Sequence, residues 1–594
     1  LERKLVLTSI IVILLTSLLG VTSRIEKVQA SGTIYIRADG SIDPPTANIT
    51  SADNVTYTFI GNINESIVVE RNNIVVDGAG YTVQGTLIGN GIDLSYRSNL
   101  TVKNTTIRNS WFGICLNYTS KVTLIGNNIA NNQFGIGLDY SSNNSIGGNN
   151  VTANGWDGIR LYSSSNNNSI NGNSITANNG NGIVLYYSSN NNTISGNSIT
   201  RNFSGLLLGY SSNNSICGNN VTNNESSIDL SFSSNNSIGG NNVTANGWDG
   251  IRLYSSSNNN SINGNNITEN NGAGIYLYSS SNTVSGNNIT ENNDYGIYLS
   301  GSSGNSISGN NITNNYGGIH LGWASNNNSI NGNSITANNG DGIKFYISSN
   351  NSVSGNSISN NVDGIVLHYS QNNSIYHNNF IDNALQQVYI ATPWNPNYWD
   401  NDYPSGGNYW SNYTGVDADA DGIGDTPYTI IDVNNIDKYP LIAPITVFDA
   451  GAWNGVACSV DIIGNSTLSG FKLDVAQKTV SFNVTGVEGM TGFCRITIPN
   501  IIVQDLWQGN YSALINGQPT DFRNWTDNIN TYIYFTYNHS TQEVVIIPEF
   551  PSLIMFPFFM ALTLLVAFIH RRRRKTGKTH KTSYNWYTFV KSTS

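Results

Sequence analysis

Apolar residues recur along this chain in short alternating runs, and the runs themselves repeat. Between Asn99 and Asn378 the string Asn-Ser-Ile-x-Gly-Asn-x-Ile-Thr, a few polar residues and Gly-Ile-x-Leu return over and over. The first apolar position of each copy falls at Val102, Leu124, Ile146, Ile170, Ile194, Ile216 and onward to Ile375. The step is roughly 22–24 residues, a period that signals stacked repeats. Each copy reads as three short strands separated by Asn/Ser/Gly turns. One copy cannot bury a core alone. Stacked copies can, with each strand pairing with its equivalent in the next coil at about 4.8 Å. The pattern predicts an all-β, right-handed parallel β-helix with Ile146, Val151, Ile159 and Leu161 inward and like side chains in ladders. Leucine-rich repeats share the period. They need L-x-x-L-x-L and a helical segment, whereas the intervening residues here are Asn, Gly, Ser and Thr, all poor helix formers.

Asparagine has its own column. Asn149, Asn173, Asn197, Asn219, Asn241, Asn265, Asn287 and Asn310 occupy one position in successive coils. Stacked amides there can bond one another and satisfy the polar groups of the turn, a structural role.

The ends differ in texture. Residues 1–30 read as a signal peptide: Arg3 and Lys4, an apolar run, then Val28-Gln29-Ala30. Residues 31–98 form an N-terminal cap and first coils, and 99–390 the β-helix. Residues 391–445, rich in aromatics and Pro, form a C-terminal cap. Alternation in 446–547 suggests a small β-sandwich stalk. The apolar run at 553–569, about seventeen residues, meets the lower limit for a spanning helix. Arg571 to Arg574 and Lys575 follow it. Residues 548–575 therefore read as a membrane anchor and 576–594 as a cytoplasmic tail, which leaves the bulk of the chain extracellular on a single pass.

Charge and cysteine narrow the partners. Charged residues make up 11% of the chain and the net charge is −10. Many cations sit in the two ends, so the middle is more acidic still. That argues against nucleic acid. Dense Asn-x-Ser/Thr sequons are glycan acceptors on an exported chain, although most follow from the repeat itself. Cys458 and Cys494 lie in one region and are available to pair.

Three sets of residues carry candidate chemistry. Tyr162, Tyr186, Tyr254, Tyr278 and Tyr346 follow the Gly-Ile-x-Leu strand, with Tyr276 and Tyr298 nearby. A row of rings at coil spacing can stack on sugar faces; alternatively the rings stack on one another and shield the sheet. Asp417, Asp419, Asp421 and Asp425, with Gly422 at the sixth position and the Ile423 carbonyl, match the first half of a calcium loop. The terminal Glu of an EF-hand is replaced by Tyr428, and an ordinary acidic turn is the alternative. Asp341 and Asp363 precede Gly-Ile in adjacent coils. Stacked, their carboxyls can approach about 5 Å, the separation of retaining glycosidases. Lys344 and His320 are expected on the same face. Asp-Gly is also an ordinary turn pair, and the same position holds Asp157 and Asp249, so a structural role is expected.

The repeat, with Asn408-Tyr409-Trp410 and Asp421-Gly422-Ile423-Gly424-Asp425-Thr426-Pro427-Tyr428, resembles the NosD-like β-helix family, grouped with carbohydrate-binding and sugar-hydrolase β-helices. The tail Pro548-Glu549-Phe550-Pro551-Ser552 with its apolar run and Arg block resembles archaeal PEF-type surface anchors. The first resemblance implies a periplasmic role in copper-site maturation. This sequence departs from it, because copper needs clustered His, Cys or Met. His320, His368 and His377 fall in different coils, and Met490, Met555 and Met560 lie outside the repeats. Copper is therefore not expected, and calcium is.

Catalysis needs a unique constellation, and these coils are homogenised. Residues 143–173 are identical to 235–265, and 165–180 recur as 325–340. The expected role is a membrane-anchored surface protein that binds extracellular glycans or a surface layer. A polysaccharide hydrolase or lyase is the runner-up.

Overall fold

The computed structural model of the chain describes residues 32–549. The expected signal peptide and cytoplasmic tail, and the expected membrane anchor from residue 550 on, lie outside them. Among the described residues no helix is long and apolar enough to cross a membrane. The chain divides into two compact units, the first ending at Ile445 and lacking Ala420–Gly422, which belong to the second with the residues from Thr446 on.

The first unit is a parallel β-helix. Its coils stack into three sheets of 17, 16 and 15 strands. Each coil gives one strand to each. We name them by their sequences the Gly-Ile-x-Leu sheet, the Ser-Ile sheet and the Ile-Thr sheet. Register is kept from coil to coil: Ile136 pairs with Ile159 and then Ile183, Ile146 with Ile170, and Val151 with Ile175. Ile146, Val151, Ile159 and Leu161 are fully buried, as the periodicity predicts. Like side chains thus stack on like along the core. Gly precedes the apolar residue in nearly every coil because neighbouring coils touch there, and Ser227 takes the position in one. A Cβ on Gly158 would lie 2.7 Å from the Gly182 carbonyl oxygen.

The turns are held by asparagine in three separate ladders. Asn241 typifies one. Its N–H and Nδ2 both donate to Asn265 Oδ1, at 2.9 and 3.0 Å, and Nδ2 also donates to the Ile216 carbonyl at 2.9 Å. Asn219 does the same to Asn241. The second ladder runs through Asn224, Asn246 and Asn270, and the third through Asn214, Asn236 and Asn260. The ladder amides are satisfied by the coils beside them, with Asn282 Nδ2 as the exception, which is why so polar a turn can be buried at all.

The last coil is closed by aromatic rings. Trp399 and Trp410 are buried, and Trp410 stacks on Phe380 at 4.4 Å and on Tyr428 at 4.5 Å. The first asparagine ladder ends here on a carboxylate. Asn378 donates to Asn408 Oδ1, and Asn408 N–H donates to Asp437 Oδ2 at 2.8 Å. Trp410 Nε1 donates to the same oxygen at 2.8 Å.

The second unit holds two five-stranded antiparallel sheets that share one apolar cluster. A short helix, Asn500–Trp507, packs Ile502, Val503, Leu506 and Trp507 into it. The alternating pattern did not anticipate this helix. Cys458 and Cys494 are both free. The pairing that sequence left open is not formed, and burial pushes the Cys494 thiol up to about 12.

Burial pushes the Asp437 carboxyl up to about 7 from 3.8, against the lowering effect of its donors at Asn408, Trp410 and Tyr439. A folded value above the unfolded one gives stability that is fully present below pH 3.8 and is lost as pH rises through about 7. Asp437→Asn keeps an acceptor for Asn408 and removes the titration. We expect its melting temperature to exceed that of the unsubstituted chain by a few degrees at pH 8 and by less at pH 5. A difference that does not grow with pH contradicts this account.

Candidate functional site: the outward face of the Gly-Ile-x-Leu sheet

Strands expose alternate residues, so each sheet has an outward column. On the Ser-Ile sheet that column reads Ser145, Ser169, Thr193, Ser215, Ser237, Ser261. On the Ile-Thr sheet it reads Thr152, Thr176, Thr200, Thr222, Thr244, Thr268. On the Gly-Ile-x-Leu sheet it runs Leu207, Asp229, Arg252, Tyr276, Tyr298, His320, Lys344, Val366, Tyr389. The backbone is the same on all three. Side-chain chemistry varies most along the Gly-Ile-x-Leu face, although the second outward column of the Ser-Ile sheet also changes, from Lys103 and Ile125 through Asn171 and Cys217 to Tyr376.

Exposed aromatic residues flank that face on both edges. Trp111, Trp156, Phe203, Trp248 and Tyr316 stand on the turn that enters the strand. Tyr118, Tyr140, Tyr187, Tyr210 and Phe232 stand on the turn that leaves it. Tyr118 and Tyr140 stack at 4.8 Å with 3° between their planes, and Tyr210 and Phe232 at 4.7 Å with 5°. The exit-turn residues are left-handed, with φ of 53° at Tyr118 and 48° at Tyr140. Bulky residues are uncommon in that conformation. The same turn takes Ser163 and Gly301 in other coils, so the backbone does not demand a ring.

The five tyrosines picked from sequence lie just inside this rim. Tyr162 and Tyr186 are neighbours at 5.7 Å, and the Arg160 guanidinium sits 4.0 Å over Tyr162. Arg252 lies 5.4 Å over Tyr254. Tyr278 is exposed, and Tyr346 meets Trp323 edge-on at 5.2 Å. Their column is broken by Gly209, Ser231, Ser300 and Gly322. The more exposed rings are one residue later, on the turn. The signal for them is an aromatic residue recurring at coil spacing just past the strand.

Charge gathers on the face where Arg160 lies 3.8 Å from Asp139, and in two further places. Asp229 is buried and accepts from Arg252 Nε at 2.8 Å and Ser226 Oγ at 2.5 Å. The third gathering holds Tyr295, Tyr298, His320, Asp341, Lys344 and Asp363. The His320 ring lies parallel to Tyr298 at 4.6 Å and 4.7 Å from Tyr295. Neither His320 ring nitrogen has a hydrogen-bond partner. Burial, then the Lys344 charge, brings His320 down to about 4, so it is neutral at pH 7. Lys344 Nζ pairs with Asp341 Oδ2 at 3.4 Å. Asp341 and Asp363 stand at the same point of adjacent coils, where Gly342 N–H donates to the Asp363 carbonyl at 2.8 Å. Asp363 Oδ1 is buried without a hydrogen-bond partner. Burial raises the Asp363 carboxyl; a Gln386 hydrogen bond opposes this and the Asp341 charge adds to it.

The family described as "Periplasmic copper-binding protein (NosD)" matches residues 31–241, 179–289, 222–323 and 287–415. The chain belongs to the NosD family. No curated protein matches it. Solved structures similar to this NosD-family chain include the periplasmic alginate epimerase AlgG. The identity is 15% and the TM-score 0.32, over 61% of this chain and 82% of that one. The mannuronan C-5 epimerase AlgE6 A-module of Azotobacter vinelandii is 14% identical with a TM-score of 0.34, over 56% and 89%. DFA-IIIase from Arthrobacter chlorophenolicus A6 is 15% identical with a TM-score of 0.35, over 55% and 87%. Likeness this distant carries no argument about what the NosD-family chain does.

Among the described residues, one group of His, Cys, Asp or Glu side chains lies close enough to share an ion. Asp417, Asp419 and Asp421 bring their oxygens within 4.8 Å of one another. Asp425, expected as a fourth ligand, is not in that group. Its Oδ2 accepts the Ala418 N–H at 2.6 Å and so pins the loop. Ile423 is buried and bridges to Leu441.

Proposed function

We propose that this NosD-family chain is an exported glycan-binding protein that lays a polysaccharide along the Gly-Ile-x-Leu face. One observation carries the reading: between two rims of exposed rings, the outward column of the Gly-Ile-x-Leu face sets Asp229, Arg252, Tyr276, Tyr298, His320 and Lys344 in a row. Sugars offer flat C–H faces to aromatic rings and hydroxyls to Arg, Asp and His, and this face supplies both. The two more repetitive sheets supply little of either. The sequence features of the two ends, a leader and an apolar run followed by arginines, go with display at the outer side of a membrane.

The family's description names copper, and the donors of this chain do not fit it. Copper sites gather His, Cys and Met. His320 stacks on Tyr298, His368 lies against Tyr346 and Tyr389, and His377 Nε2 meets the Ser405 carbonyl, each in a coil of its own. The Asp417, Asp419 and Asp421 oxygens instead suit a hard cation, and we assign calcium to them, where it would brace the closing loop.

The binding reading is tested by glycan-array screening of the full chain. Trp156→Ala with Trp248→Ala on one rim, and Tyr118→Ala with Tyr140→Ala on the other, are then compared with the unsubstituted chain. Each lost ring contact is worth about 1 kcal/mol, so each pair weakens binding about tenfold or more while the melting temperature holds. Affinity unchanged by both pairs overturns the assignment of the face.

Calcium is tested by calorimetric titration of the full chain with calcium chloride. Binding raises the melting temperature by mass action, chelation reverses it, and Asp417→Asn with Asp419→Asn abolishes it. No heat and no shift in melting overturns the calcium assignment.

A further inference from the structure

Among the described residues, the strands of the Gly-Ile-x-Leu sheet carry three Arg or Lys side chains: Arg160, Arg252 and Lys344. They stand four coils apart in one outward column, roughly 19 Å at the strand spacing of about 4.8 Å. Each is matched to an aspartate. Asp139 lies 3.8 Å from Arg160, Asp229 lies 2.8 Å from Arg252, and Asp341 lies 3.4 Å from Lys344. Rings cover the flat sides of the two guanidiniums. Arg160 sits over Tyr162 at 4.0 Å and Phe134 at 5.0 Å, and Arg252 over Tyr254 at 5.4 Å. Burial and then the Lys344 charge lower His320 and His368 from 6.5, so neither adds a cation at pH 7.

Acids on this sheet exceed the cations. Asp93, Asp157 and Asp249 bond amides and a hydroxyl instead of a cation. Glu225 and Asp294 stand on the entry turn, at the place that Phe203 and Tyr316 hold in neighbouring coils.

We propose that the polysaccharide laid along this face is a neutral one, and that Asp139, Asp229 and Asp341 are specificity residues that exclude polyuronates by taking every cation the face offers. The inference rests on the glycan-binding reading and names the class of chain bound there. A uronate is held by charge-assisted bonds to an uncommitted Arg or Lys. Here it would have to displace an aspartate or lie against one, and like charges in contact are costly. A neutral sugar meets neither penalty. Each ion pair sets N–H donors beside carboxylate acceptors, so two adjacent sugar hydroxyls can accept from the first and donate to the second. Between the pairs the column offers Val184 and Leu207, then Tyr276, Tyr298 and the neutral His320 ring, surfaces for the C–H faces of a sugar. The three aspartates are held by the same cations, which denies them to a polycation as well.

The full chain is screened for retention on immobilised neutral glucans, mannans, galactans and xylans, on polygalacturonate and alginate, and on chitosan, at low salt and at about 1 M salt. We expect a neutral polymer to be retained with less than about a twofold change between the two salts, and the polyuronates to pass through. Asp229→Asn with Asp341→Asn frees Arg252 and Lys344. Polyuronate retention then rises about tenfold or more at low salt and falls away at about 1 M. Melting curves check that the variant is folded, and Asp341→Asn alone is used if the double variant is not. Preference of the unsubstituted chain for a polyuronate or for chitosan overturns the class inference and leaves the binding reading standing. A folded variant that gains no polyuronate retention overturns the role given to the aspartates. Retention on none of these polymers overturns both readings.

Discussion

The amide-to-amide hydrogen bond between successive coils is the constraint on which this molecule depends. Each coil is too small to enclose a core, and its turns carry buried N–H and C=O groups that are met largely by side chains of the neighbouring coils. The asparagine ladders solve the second problem while the Ile and Leu columns solve the first. An Asn at the turn accepts two hydrogen bonds from one neighbour and donates to the other, so every coil is completed by the coils beside it. Stability of this kind is a sum over neighbour contacts, and it makes the ends costly. The C-terminal end is closed by Trp399, Trp410 and the carboxylate of Asp437, which takes the place of one more asparagine.

Once turns and core are fixed by ladders, the outward positions are free of structural duty. Two sheets fill most of them with Ser, Thr and Asn, which suit a solvated strand. The third fills them with Arg, Asp, Tyr, His and Lys between rims of Trp and Tyr. The identical blocks 143–173 and 235–265 differ in their surroundings for this reason. Arg252 of the later block bonds Asp229 in the coil before it at 2.8 Å, whereas Arg160 of the earlier block lies 3.8 Å from Asp139 and over the rings of Phe134 and Tyr162. Copying preserved the stacking surface, and the neighbouring coil set the chemistry.

Period and polarity made the solenoid legible. Ile146, Val151, Ile159 and Leu161 were readable as core because alternation states which side a strand buries. The asparagine column at Asn149 was readable because its spacing equals the coil. Two more ladders were not separated from it, since Asn is so abundant that its other columns merge into background. Exposed rings such as Tyr118 and Tyr140 were missed because a left-handed residue breaks the alternation that would assign it a side. The helix at Asn500–Trp507 was hidden by Ile501-Ile502-Val503, a β-branched run that reads as a strand until packing against the sheets decides otherwise. The place of Asp341 beside Lys344 was anticipated. The orphan oxygen of Asp363 and the unmet nitrogens of His320 were not, because hydrogen-bond satisfaction is a property of neighbours in space.

The central claim is that ladder positions hold the fold and outward positions of one face serve a ligand. Asn246 and Trp248 are two residues apart in one coil and fall on opposite sides of that division. Asn246 is buried and bonds Val221 and Asn270, while Trp248 is exposed. Guanidinium unfolding of Asn246→Ala beside Trp248→Ala is the direct measurement. The account predicts a loss of about 3–5 kcal/mol for the first, which strands several buried polar groups, and less than about 1 kcal/mol for the second. Equal losses would mean that the rings on this face are structural, and would contradict the account.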